Sequence, residues 1–160
     1  MGRRRLAREI ALQALYVADV SATPAEEAFA IVIRRDGGEA DASALDFARE
    51  LALGTLARRD ELDALIQERA ENWAVGRMAA VDRNVLRLAA YELVARPDTP
   101  VGVVIDEAIE IVRKYSAEEA TRFVNGILDA LKALREKPKK ARKAKPKANT
   151  PKDAPEKSEP

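Results

Sequence analysis

The chain has neither cysteine nor histidine. Disulfides, Cys/His zinc sites, thiol nucleophiles and imidazole general bases are therefore excluded. Aromatic residues make up only 4% of the 160 positions, with a single tryptophan, so a core must be built from Leu, Ile, Val and Ala. That composition suits helices, because alanine and leucine lead the helix-propensity scale. No uncharged run is long enough to span a bilayer. No apolar leader follows the first arginines either, since Glu9, Gln13 and Asp19 interrupt the run. A cytoplasmic protein of one domain plus a tail is the expectation.

Charge is almost balanced overall, at +1, but it is segregated. Residues 1–9 carry +3, residues 137–160 carry +6, and the stretch between them carries −8. The basic ends suit an anionic polymer, and the acidic body suits a basic protein partner.

Arg3, Arg4, Arg5 and Arg8 open a helix in which Leu6, Ile10, Ala14 and Val17 recur at helical spacing to about Val20. Cations in a first turn oppose the helix macrodipole by roughly 0.3–1 kcal/mol each, so the fold gains nothing from them. A phosphate partner is the sharper reading and a solvated basic start the blander one. Gln13 falls in the apolar stripe, as a satisfied core amide or a base-reading group near the rim.

Further along, Thr23-Pro24 begins a second helix with Thr23 as its cap. Ser43 caps a third, whose stripe of Phe47, Leu51, Leu62, Leu65 and Ile66 extends to about Ala70, with a bend or break near Arg58. Gly54 and Gly126 are expected to admit close neighbours, and Trp73 to plug the core. A helix from about Asp82 to Ala95 carries Glu92 inside its apolar arc, where a carboxylate needs an internal partner. Thr99-Pro100 opens a helix to Tyr115. Ser116-Ala117-Glu118-Glu119 reads as a capping box for the last one, which buries Phe123 and Val124. After Glu136, lysine, proline and alanine dominate and apolar periodicity ends, so 137–160 is expected to be disordered and to add salt-sensitive affinity for nucleic acid.

Four stretches together resemble the NusB family of transcription antitermination and rRNA-processing factors. They are Arg3-Arg4-Arg5-Leu6-Ala7-Arg8-Glu9-Ile10-Ala11-Leu12-Gln13-Ala14-Leu15-Tyr16, Val81-Asp82-Arg83-Asn84-Val85-Leu86-Arg87-Leu88-Ala89-Ala90-Tyr91-Glu92-Leu93, Ile105-Asp106-Glu107-Ala108-Ile109-Glu110, and Phe123-Val124-Asn125-Gly126-Ile127-Leu128-Asp129. They lie in the family's order across about residues 3–135. Leu6 adds a residue to the compact Arg-Arg-Arg-Ala-Arg form, and Val104 and Asp106 replace the usual Ala and Asn.

The resemblance implies an all-α fold of about seven helices in two packed small bundles over residues 1–136, with 137–160 as a tail. It also implies no enzymatic activity, no cofactor and no metal. Such proteins pair with NusE, a ribosomal small-subunit protein. With it they bind single-stranded boxA RNA of the rRNA leader within an RNA polymerase antitermination complex. Carried onto this chain, Arg3, Arg4, Arg5 and Arg8 match the RNA-contacting tip, with Gln13 and Tyr16 beside it. Glu118, Glu119, Phe123 and Asn125 border the same RNA site, while Asp82, Arg83 and Arg77 match the NusE side. On this reading Arg8→Ala weakens RNA binding and removes about one phosphate contact from its salt dependence. Two rivals are an accessory RNA-binding domain acting in trans with an rRNA-modifying enzyme, and a homodimeric storage form that buries the first helix.

Overall fold

Helix α1 (Arg3–Val20) is the axis of the fold, seen in a computed structural model that describes residues 2–135. Its Ala7, Ile10, Ala11, Ala14 and Leu15 are all buried. Four of these are small or unbranched at Cβ, so neighbouring helices can close in on several sides. Helices α2 (Ala25–Asp36) and α3 (Ala42–Ala57) cover α1 on one side. On the other lies α5 (Ala80–Ala95), itself packed by α4 (Arg59–Gln67), α6 (Val101–Tyr115) and α7 (Glu118–Leu131). The described residues thus form seven α-helices in two small bundles joined along α1 and α5, with no strand among them. The lysine-rich segment 137–160 lies outside the described residues.

The long third helix of the sequence reading is two. Arg58 leaves helical geometry at φ −113°, ψ 22°. Its guanidinium grips Glu61 bidentately at 3.0 and 2.8 Å, closing the first turn of α4. Gly54 lies where α3 meets the Tyr91 ring of α5, and a Cβ there would come within 2.3 Å of the Tyr91 hydroxyl oxygen. The expected close approach is therefore present at Gly54. It is absent at Gly126, which faces open space.

None of the four expected caps is used. In both Thr-Pro pairs proline itself occupies the cap position, Pro24 for α2 and Pro100 for α6, which displaces Thr23 and Thr99 one residue outward. Asp41, rather than Ser43, caps α3, accepting from the Ala44 amide at 2.8 Å. Ser116 ends α6 and its hydroxyl donates to Asp82, while Ala117 takes the cap position of α7 and no side chain caps that helix. Trp73 is not a core plug. It is 51% exposed, and its ring meets that of Phe123, also exposed rather than buried, edge-on at 5.9 Å. No described helix is long and apolar enough to cross a membrane.

Candidate nucleic-acid interface

The four N-terminal arginines do not form a single ring, because an α-helix turns by about 100° per residue and aims them at different neighbours. Arg8 points inward. It is 3% exposed, and its Nε and Nη2 donate to the two carboxylate oxygens of Glu92, each at 2.7 Å. The carboxylate in the apolar arc of α5 thus has its internal partner, and Arg8 is withdrawn from the phosphate-binding role expected of it. Arg5 is half-buried and grips Glu107 of α6 at 2.7 and 2.9 Å. Hydrogen bonding from Arg5 holds the Glu107 carboxyl below its usual range, against the opposing effect of burial. Arg3 makes an exposed contact with Asp41 at 3.1 Å, a geometry worth little in water. Arg4 is exposed, makes no ion pair among the described residues, and lies 4.5 Å above the Phe47 ring of α3. Gly2, Arg3, Arg4, Ser43, Ala44 and Phe47 enclose a cleft of about 410 Å³.

Further down α1 the buried carboxylate of Glu9 accepts from the Tyr115 hydroxyl and from Lys114 Nζ, both at 3.0 Å. Burial first, then Glu9, pushes the Tyr115 phenol above its ordinary value. Next to this pair Leu12, Gln13, Tyr16, Val17, Val81 and Tyr115 line an apolar groove of about 210 Å³. Tyr16 is 42% exposed there, while Gln13 Oε1 is buried with no hydrogen-bond partner. Gln13 is thus only half-satisfied as a core amide: its side chain hydrogen-bonds Tyr115, and its carbonyl oxygen is buried without a partner among the described residues.

A third opening, of about 520 Å³, lies between the end of α6 and the start of α7 and is lined by Arg113, Ser116, Glu118, Thr121, Arg122 and Asn125. Asn125 Oδ1 is also buried and unpartnered. Tyr115 lines one opening and its neighbour Ser116 the other, so the Gln13–Tyr16 groove and the Asn125 cleft both border the α6–α7 corner. The Arg4 cleft shares no lining residue with either. Along α1 it is nine positions from Gln13, about 14 Å at 1.5 Å per residue. The expected site is therefore divided, with Arg3 and Arg4 at one end, and Gln13, Tyr16, Glu118 and Asn125 around the corner at the other. Glu119 and Phe123 are exposed on α7 but line neither opening.

The family model for NusB matches residues 5–133. The chain belongs to the NusB family. It is 45% identical to the transcription antitermination protein NusB of Elusimicrobium minutum, over 84% of this chain and 96% of that one. Among solved structures, NusB of T. maritima superposes with a TM-score of 0.74 at 38% identity, covering 82% of this chain and 91% of the other. A structure of NusB and NusE in complex with double-stranded RNA superposes at 0.75 with 29% identity, covering 81% and 96%.

The residues expected on the NusE side of a NusB-like protein fare differently. Asp82 is 4% exposed and accepts from Ser116, so it braces the α5–α6 corner rather than presenting a free carboxylate. Arg83 is held by Asp19 at 2.7 Å and by the Met78 carbonyl at 2.9 Å. Arg77 alone of the three is fully exposed. Phe47, Tyr115, Arg113 and Arg122 line these openings, and the sequence reading did not name them as site residues. Tyr115 carried a signal, an aromatic at a helix end beside Lys114. Phe47 carried none, because it sits in an apolar stripe like any core residue.

Proposed function

We propose that this chain is a transcription antitermination factor of the NusB type. It binds single-stranded boxA-like RNA of the rRNA leader together with a NusE-type ribosomal protein. Family membership across 5–133 carries this reading. The groove beside Tyr16 supports it locally: an exposed aromatic ring lining an open groove is what an unstacked base requires for stacking. Arg3, Arg4, Arg113 and Arg122 supply phosphate contacts around the openings, and the acidic body favours a basic ribosomal partner.

The same reading makes the protein a binding factor of the cytoplasm rather than an enzyme. A chain without histidine or cysteine lacks the commonest general base and the thiol nucleophile, and the openings hold no paired carboxylates. The homodimer that buries α1 is disfavoured, because most of the apolar residues of α1, Tyr16 and Val20 excepted, are already covered by α2, α3 and α5. An accessory role in trans to an RNA-modifying enzyme has no feature of its own in its favour.

The test is fluorescence anisotropy with boxA-like single-stranded RNA, with and without the NusE-type partner. Binding that is strengthened by the partner and weakened by Tyr16→Ala is expected. RNA binding indifferent to both would sink the proposal.

A further inference from the structure

The Phe47 ring is crowded by cations. The guanidinium carbons of Arg4, Arg96 and Arg8 lie 4.5, 4.8 and 5.4 Å from its centre. Two of the three are neutralised by carboxylates, Arg8 by Glu92 and Arg96 by Glu50. Arg4 is not. It is the outermost of the three and exposed, and among the described residues its charge meets only the π-face beneath it. Resting on a half-buried ring, the Arg4 guanidinium keeps a fixed height and leaves its other side to solvent. Beside it the cleft of about 410 Å³ is closed by Gly2, Arg3 and the first turn of α3. The acidic group at its edge, Asp41, is committed to Arg3 and to the Ala44 amide.

We propose that Phe47 and Arg4 form a base-stacking platform, with one unstacked base of a single-stranded RNA lying on the outer side of the Arg4 guanidinium. The adjoining phosphate enters the cleft next to Arg3 and Ser43. This rests on the RNA-binding reading and extends it to the α1–α3 face, away from the α6–α7 corner. Stacking of a base on a guanidinium plane needs no particular base, so the platform adds affinity and direction rather than sequence preference. It also separates two roles of one residue. A lysine at position 4 keeps the charge but has no plane to stack.

The test uses the full chain and a boxA-like single-stranded RNA carrying 2-aminopurine at one position at a time. In the unaltered protein one position is quenched on binding. Arg4→Lys abolishes that quench and lowers affinity by about 5- to 160-fold, the range for loss of one stacked base. Its salt slope stays unchanged. Arg4→Ala lowers affinity as well, and in addition reduces the log–log salt slope by about 0.7, one single-strand phosphate contact. Arg4 is exposed and makes no ion pair among the described residues, so both variants should keep the parent's thermal midpoint. If Arg4→Lys binds like the parent while Tyr16→Ala binds poorly, the platform is wrong and the RNA-binding reading stands. If the unaltered protein with its partner fails to bind the RNA, both fall together.

Discussion

Arg8 shows how far a single residue's role departs from what its neighbours in the sequence suggest. In the run Arg3-Arg4-Arg5-Leu6-Ala7-Arg8 it reads as one more member of a phosphate-binding cluster. In the fold it is an internal ion-pair partner, bidentate to Glu92. Glu92's need for such a partner was legible, because a carboxylate inside an apolar arc must be compensated. Which cation supplies it was not, because Arg8 and Glu92 are 84 residues apart. Removing one half of a buried pair strands the other, so Arg8→Ala is expected to destabilise the fold by about 3–5 kcal/mol. Arg8→Met combined with Glu92→Leu should recover most of that loss, and urea unfolding of the three variants measures both effects. If Arg8→Ala instead unfolds like the parent and only weakens RNA binding, Arg8 belongs to the surface after all.

At the scale of elements, α5 is the part the sequence reading simplified most. Its apolar face was legible from Val85, Leu86, Leu88, Ala89 and Leu93, all buried as expected. Its polar residues Asp82, Asn84 and Arg87, to which the sequence reading gave no packing role, are buried as well. Asp82 reaches Ser116, Asn84 and Arg87 reach Asp19 on α1, and Arg87 also holds Asp63 on α4 at 2.7 and 2.9 Å. Periodicity cannot reveal such ties, because they depend on what the opposing helix presents. Burial tends to raise the Asp19 carboxyl, but hydrogen bonds from Arg83 and Asn84, with the charges of Arg83 and Arg87, outweigh it and hold the pKa below the ordinary 3.8. A carboxyl depressed in the folded state stabilises that state above the unfolded value and loses its contribution as pH falls through the folded one. Stability should therefore decline below about pH 4, and Asp19→Asn should flatten the decline in urea titrations at successive pH values. Two of the helical glycines give a second check at this scale. Gly54→Ala drives a methyl into the Tyr91 ring and should cost about 1–3 kcal/mol. Gly126→Ala meets nothing and should gain up to about 1 kcal/mol from helix propensity. Opposite shifts in thermal midpoint are the expected result, and equal ones would mean that α3 and α5 are not as closely apposed as they are here.

Over the whole molecule, the apolar stripes of α1, α5, α6 and α7 were enough to read an all-helical body from the sequence, whereas the division of the basic end between α3 and α6 was not. The carboxyl-terminal boundary has a physical marker as well. Arg135, the last described residue, donates to the carbonyls of Leu93, Thr99 and Arg96 at 2.7, 2.9 and 3.1 Å, satisfying the open end of α5 and the turn into α6. A cation at that end also complements the helix dipole. Chain beyond it contributes nine basic and three acidic residues between 137 and 160 and no apolar stripe. Truncation should therefore act in two distinct ways. Ending the chain after Glu136 should leave the thermal midpoint where it is and reduce the salt dependence of RNA binding, since several phosphate contacts are lost. Ending it two residues earlier, after Leu134, removes the Arg135 clamp and should lower the midpoint, because the carbonyls it satisfies lose their charged donor. Calorimetry and salt titration of the two truncated chains separate these effects. A lowered midpoint on ending the chain after Glu136 would place part of the folded domain beyond that residue.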